Sequence, residues 1–136
     1  MPPFHYVDLR AFCYETEAEA RVAGALRTLL PEDTDLERQT TEGHHGDRIV
    51  VLSARVERAD EVRTVLDRLR QSPDIERVRA ELADRVDEDC TFFVHLDKQA
   101  AADGEVRLGE GIALRAKVEA YPARREAAVE NAREAL

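Results

Sequence analysis

Apolar and polar residues alternate with period two over Phe4 to Cys13. His5, Val7, Leu9, Ala11 and Cys13 share one phase; Phe4, Tyr6, Asp8, Arg10 and Phe12 share the other. That alternation predicts a strand with one buried face. Helical spacing takes over at Val22, Ala25, Leu26 and Leu29, behind a Thr16-x-x-Glu19 capping box and ahead of a helix-ending Pro31. Leu36 to Thr41 predicts a weak strand, and Arg48 to Arg58 a strong one with Val50, Leu52, Ala54 and Val56 on one face. Between them, Gly43-His44-His45-Gly46-Asp47 is short enough for a hairpin loop, with glycines where positive φ is needed.

A second helical stripe follows at Val62, Val65, Leu66 and Leu69. Ser72-Pro73 predicts the N-cap and first position of a third helix, with Ile75, Val78, Leu82 and Val86 as its apolar face. Cys90, Phe92, Val94 and Leu96 form another strand face, and Lys98 to Gly104 is turn-like. Ile112, Leu114, Ala116, Val118 and Ala120 form the last strand, and Pro122 starts the final helix. The predicted order is β-α-β-β-α-α-β-β-α. This is an α+β fold, a single largely antiparallel sheet with helices on one face.

If the aliphatic phase of each strand meets the helices, the opposite phase defines a second face. It holds Tyr6, Asp8, Arg10 and Phe12; Ser53 and Arg55; Phe93 and His95; and Arg115, Lys117, Glu119 and Tyr121. Phe4 falls on the same side, so most of the aromatic residues lie there, interleaved with cations, provided no bulge shifts the phase. Small α+β modules bind single-stranded RNA with such a face, aromatics stacking on bases and Arg or Lys holding phosphates. A structural reading competes: the face buries against a second copy, as a homodimer, or against another protein.

Length and charge limit the choice. The 136 residues are enough for one domain with a core of its own. Phe4 to Cys13 carries a His, an Asp and an Arg and has no apolar signal-peptide core, and no apolar run reaches the ~20 residues of a membrane span. The expectation is a cytoplasmic protein in which Cys13 and Cys90 are buried thiols. Net charge is −9, which argues against nucleic acid. Of the 20 basic residues only Lys98 and Lys117 are lysine, and this acidic, lysine-poor composition resembles that of halophile proteins. In molar salt long-range fields are screened within about 3 Å, so local patches outweigh net charge. The sign is uneven along the chain: Glu15 to Glu42 holds eight acids against three bases, and Ile112 to Leu136 five bases against four acids.

Each candidate has a plain reading beside a functional one. His44 and His45 are turn residues, or they stack on bases and hydrogen-bond phosphate; adjacent positions and no third ligand nearby make a metal site the weakest choice. Asp87-Glu88-Asp89 is an acidic loop, or with Asp97 the carboxylate set of a two-metal nuclease. Arg48, Arg115 and Lys117 are cross-strand ion-pair partners or phosphate ligands. Arg124 and Arg125 open the last helix, where the dipole disfavours cations and a bound phosphate would offset that. Gly104 to Gly111 has P-loop glycine spacing without the following Lys and Ser/Thr, and no nucleophile-histidine arrangement is present.

Three stretches, TTEGHHGDRIVVLSARV, VHLDKQAAADGEVRL and ALRAKVEAYPARREAA, resemble an archaeal family of small RNA-binding proteins described as a predicted exosome subunit. The resemblance implies a fold similar to the ribosomal protein that binds 5S ribosomal RNA. It marks Glu42 to Gly46, Asp97-Lys98-Gln99, and Lys117 to Arg124 as defining loops. Both lysines fall inside the last two, and an ammonium is not equivalent to a guanidinium. Asp47 departs from the family pattern and puts an anion beside the first loop. The expected function is a non-catalytic RNA-binding module without cofactor or metal, partnered by RNA and by exosome or ribosome components. The expected contacts are His44, His45, Arg48, Lys98, Gln99, Arg115, Lys117 and Arg124, with Tyr6 and Phe93 stacking on bases.

Overall fold

The computed structural model describes residues 3–136. Five strands, β1 (Phe4–Cys13), β2 (Glu37–Glu42), β3 (Arg48–Val56), β4 (Thr91–Asp97) and β5 (Gly111–Val118), form one sheet in the order β2-β3-β1-β5-β4. Every neighbouring pair is antiparallel. Among the described residues there are six helices: α1 (Glu19–Arg27), α2 (Ala59–Arg70), α3 (Ile75–Ala80), α4 (Leu82–Arg85), α5 (Lys98–Ala102) and α6 (Arg125–Ala135). The aliphatic phase of each strand is buried under the helices: Val7, Leu9 and Ala11; Val50, Leu52 and Ala54; Phe92, Val94 and Leu96; Ile112, Leu114 and Ala116. Val22, Ala25 and Leu26 of α1, Val62, Val65, Leu66 and Leu69 of α2, and Ala128, Val129 and Ala132 of α6 close over them. Burying each Leu or Val contributes about 1.5–3 kcal/mol, so this layer carries the stability.

The α+β architecture follows the sequence pattern, but several details differ. The register of β1 on β5 shifts between Phe4 and Tyr6. This bulge reverses the phase at the start of β1: Phe4 is fully buried, its ring 6.2 Å from Phe92, and His5 points to solvent beside Glu119. The apolar side chain takes the core and the polar one water, at the expense of strict alternation. The Thr16 capping box is absent; α1 begins at Glu19, and Glu17 instead accepts the Tyr14 N–H at 3.1 Å. The stripe from Ile75 to Val86 divides into α3 and α4 at Glu81. Ser72 caps the turn ahead of α3, accepting the Asp74 N–H at 3.1 Å. The turn-like stretch after β4 is the short helix α5, capped by Asp97, whose side chain accepts the Ala100 N–H. Tyr121, Pro122 and Ala123 are loop, so α6 starts at Arg125.

Candidate nucleic-acid interface

The face opposite the helices is open to solvent, and the strand register fixes who stands beside whom. One row runs Gln39–Val51–Phe12, the next Glu37–Ser53–Arg10–Ala113–His95, the third Arg55–Asp8–Arg115–Phe93, and the fourth Tyr6–Lys117–Thr91. Asp8 and Arg55 form a two-pronged ion pair at 2.6 and 2.8 Å. The same guanidinium lies 3.9 Å from the centroid of the Tyr6 ring. Tyr6 therefore has one ring face already occupied, and Arg55 is held on both sides. With Asp8 engaged by Arg55, Arg115 has no carboxylate within ion-pair distance among the described residues, and neither has Arg10, whose register neighbours are Ser53 and Ala113. These two exposed arginines sit on the face between the rings of Phe12 and Phe93.

The GHHG loop is the tip of the β2–β3 hairpin. The Gly43 N–H donates to the Asp47 carbonyl at 2.6 Å and the Gly46 N–H to the Gly43 carbonyl at 3.0 Å. Only Gly46 has positive φ, 80°; a side chain on Gly43 would press on Ile49. His44 and His45 are exposed, their rings 5.0 Å apart and steeply inclined. Arg48, exposed opposite Glu42, shares the phase of Val50 and so projects from the helix side of the hairpin, off the open face.

Lys98 is buried. Its ammonium donates to the Phe12 carbonyl at 2.8 Å and to Glu17 Oε1 at 2.7 Å, and lies 5.1 Å from the Tyr14 ring centroid. The lysine is needed, but as an internal tie between α5, the end of β1 and the turn before α1, leaving no ammonium free for phosphate. Burial pushes the Glu17 carboxyl up; the Lys98 hydrogen bond, the Tyr14 N–H and the Lys98 charge together outweigh burial and hold it below the ordinary carboxylate range. Burial, then Glu17 and Glu19, push the neighbouring Cys13 thiol up, which keeps it a thiol. Gln99, next in α5, is exposed at the same end of the sheet.

The third loop lies elsewhere. Lys117 pairs across the sheet with Tyr6, seven residues of β1 away from Cys13, a separation of about 23 Å at ~3.3 Å per residue. Its ammonium donates to the Asp89 carbonyl. Tyr121 is 97% exposed, Arg124 is exposed at the N-cap of α6, and Arg125 donates to the Val86 carbonyl at 2.9 Å. The hairpin tip and Gln99 thus share one end of the sheet, Lys117 and Arg124 occupy the other, and the open face joins them.

The acidic loop has an internal task. Asp87 Oδ1 accepts the N–H groups of Asp89 and Thr91 at 2.9 and 3.0 Å, forming the tight turn that places Cys90 at φ 62°. Among the described residues no three His, Cys, Asp or Glu side chains gather as a metal cluster. The expected contacts did not include Arg10, Phe12 and His95. Their signal was the shared phase of Arg10 and Phe12 in β1, but only the register shows that Ala113 stands between Arg10 and His95.

Fold and face together define a small single-sheet α+β protein whose uncovered sheet surface is set with aromatic rings and uncompensated arginines. The chain belongs to the family described as RNA binding, which it matches over residues 6–118. It is 36% identical to the RNA-binding protein PAB1135 of Pyrococcus abyssi, over 97% of this chain and 93% of that protein. Two solved structures share the fold along almost their whole length. Mth689, a DUF54 protein from Methanothermobacter thermautotrophicus, is 40% identical with a TM-score of 0.80, covering 98% of each chain. AF2318 from Archaeglobus fulgidus is 29% identical with a TM-score of 0.87, covering 98% of this chain and 99% of that one.

Proposed function

We propose that the chain is a non-catalytic RNA-binding module in which RNA crosses the open sheet face. The observation that carries this reading is local: among the described residues Arg10 and Arg115 have no carboxylate within ion-pair distance, and they stand on one sheet face beside the rings of Phe12 and Phe93, in a chain of net charge −9. Uncompensated cations on a surface repel one another, and a phosphodiester between them removes that cost. In this reading Phe93 stacks on a base, Tyr6 offers its one uncovered face, and Arg115, Lys117 and Arg124 contact phosphate. His44 and His45 meet the strand where it passes the hairpin tip, with Arg48 reaching only RNA that wraps past the tip to the helix side, and Gln99 contacts it at the same end. Exosome or ribosome components are the proposed protein partners, on the resemblance to that family and to the 5S ribosomal RNA-binding fold.

Salt dependence tests the division of labour. With ~4 phosphate contacts on single-stranded RNA, raising salt from ~0.15 to ~3 M weakens binding on the order of 10³–10⁴-fold. For a halophile's protein, stacking and hydrogen bonds then carry most of the affinity. The experiment is fluorescence anisotropy of labelled single-stranded and duplex RNAs at two salt concentrations, with wild type, Arg115→Gln and a His44/His45/Arg48→Ala variant. Saturable binding, weakened in Arg115→Gln with the salt slope reduced by about 0.7, is expected. No binding at either salt, with a dimer by light scattering that Arg115→Glu dissociates, would make this face a homodimer interface instead.

A further inference from the structure

Beside Phe12 the open face carries a hollow of about 230 Å³, lined by Arg10, Phe12, Tyr14, His95, Gly111 and Ala113. That is below the ~300–1,000 Å³ of pockets that enclose a whole drug-sized ligand, so it suits one planar group of a larger molecule. Its floor is low because Ala113 and Gly111 are small. Its walls are chemically distinct. The Phe12 ring, 40% exposed, meets the Tyr14 ring edge-on at 6.5 Å, and the Arg10 guanidinium lies 5.5 Å from the Phe12 centroid. His95 stands across Ala113 from Arg10, in the same cross-strand row.

We infer that this hollow is a seat for one unpaired nucleotide: the base stacks on Phe12 above Ala113, and its phosphate lies between Arg10 and His95. The inference rests on the RNA-binding reading and deepens it, because a seat for a single base admits single strands and loops and excludes duplex. A base inside an A-form helix is stacked on both faces and cannot reach an aromatic recessed beside a floor. Charge complementarity selects the occupant. Arg10 has no carboxylate partner among the described residues, its guanidinium lies over the Phe12 ring, and the lining holds no acid while His95 adds a ring N–H donor. The seat is pre-ordered from beneath, since Lys98 ties the Phe12 carbonyl to Glu17 and packs against Tyr14.

Filling the hollow without altering charge or core separates this seat from binding in general. Ala113→Leu places a larger side chain on the floor from the solvent side of β5, and Phe12→Leu removes the ring but keeps bulk. Wild type, both variants and Arg115→Gln are titrated with a single-stranded RNA octamer and with a blunt duplex of equal length, with thermal unfolding recorded for each. The expected result is preference for the single strand, and a loss of about tenfold or more in Ala113→Leu and Phe12→Leu at unchanged melting temperature. A titration of ¹³C-methyl-alanine protein with the octamer should also shift the Ala113 resonance. Single-strand binding at wild-type strength in both variants, weakened only by Arg115→Gln, would overturn the seat and leave the RNA reading standing. Failure of wild type to bind either RNA would overturn both.

Discussion

Lys98 shows how much one side chain decides. A lysine scarce in its own chain and placed in a distinctive loop reads as a ligand contact, yet its ammonium closes three internal contacts. Replacing it with Met leaves the half-buried Glu17 carboxylate and the Phe12 carbonyl without their partner, and an unsatisfied group costs about 1–3 kcal/mol. Chemical denaturation should show that loss. Its pH dependence has a defined sign. Glu17 titrates below its ordinary value when folded, so its contribution is complete above the unfolded-state pKa, about 4.3, and is lost as pH falls through the lower folded value. Stability of Glu17→Gln should therefore fall less steeply with acid below about pH 4.5 than wild type. Gly111 is bound to the same cluster: its φ is 115°, and an added Cβ would lie 2.5 Å from Lys98 Cβ. Gly111→Ala should cost about 1–3 kcal/mol for the strained backbone alone, read as a lowered urea midpoint.

Among the elements, strands were more legible than helix ends. Alternation over seven or more residues identified the buried phase of β1, β3, β4 and β5, because one covered face leaves a period-two record. The bulge at Phe4 left no such record: its cause is the Phe92 ring across the sheet, which rewards burying Phe4 and is distant in sequence. Helix starts were misplaced for a similar reason. Thr16-x-x-Glu19 has capping composition, but Glu17 is drawn to Lys98, a long-range partner that local motif reading cannot include. Helix α5 is too short to show periodicity and depends on its cap. Asp97→Ala removes the bond to the Ala100 N–H and should cost about 0.5–2 kcal/mol. Because α5 carries Lys98, amide exchange should then rise at Phe12 and Tyr14 as well as in the helix.

At the scale of the whole molecule, the sheet makes three separated sequence motifs into one surface with two ends. The hairpin tip lies beyond the Cys13 level, which is itself about 23 Å of strand from Lys117, so no compact ligand contacts both. A polymer does, provided it crosses the open face. Affinity for single-stranded RNA should therefore rise with length up to the span of the face and then level off. The His44/His45/Arg48→Ala loss should appear only in oligomers long enough to reach the hairpin tip. A length series by anisotropy checks both; an undiminished short-oligomer affinity with a variant-insensitive long one would remove the hairpin from the site.

The sequence by itself determined the α+β class, the five strands, the buried phase of most of them, and a polar face carrying aromatics and cations. Period and composition suffice for that, since burial on one side of a sheet constrains every second residue. Tertiary structure decided which of the polar groups remain available. Arg55 was removed by Asp8 and Tyr6, and Lys98 by Glu17 and Phe12, while Arg10 and Arg115 were left without an ion-pair partner among the described residues. Pairing depends on register and on contacts between residues far apart in the chain, as Arg55–Asp8 and Lys98–Glu17 are, and no local pattern encodes it.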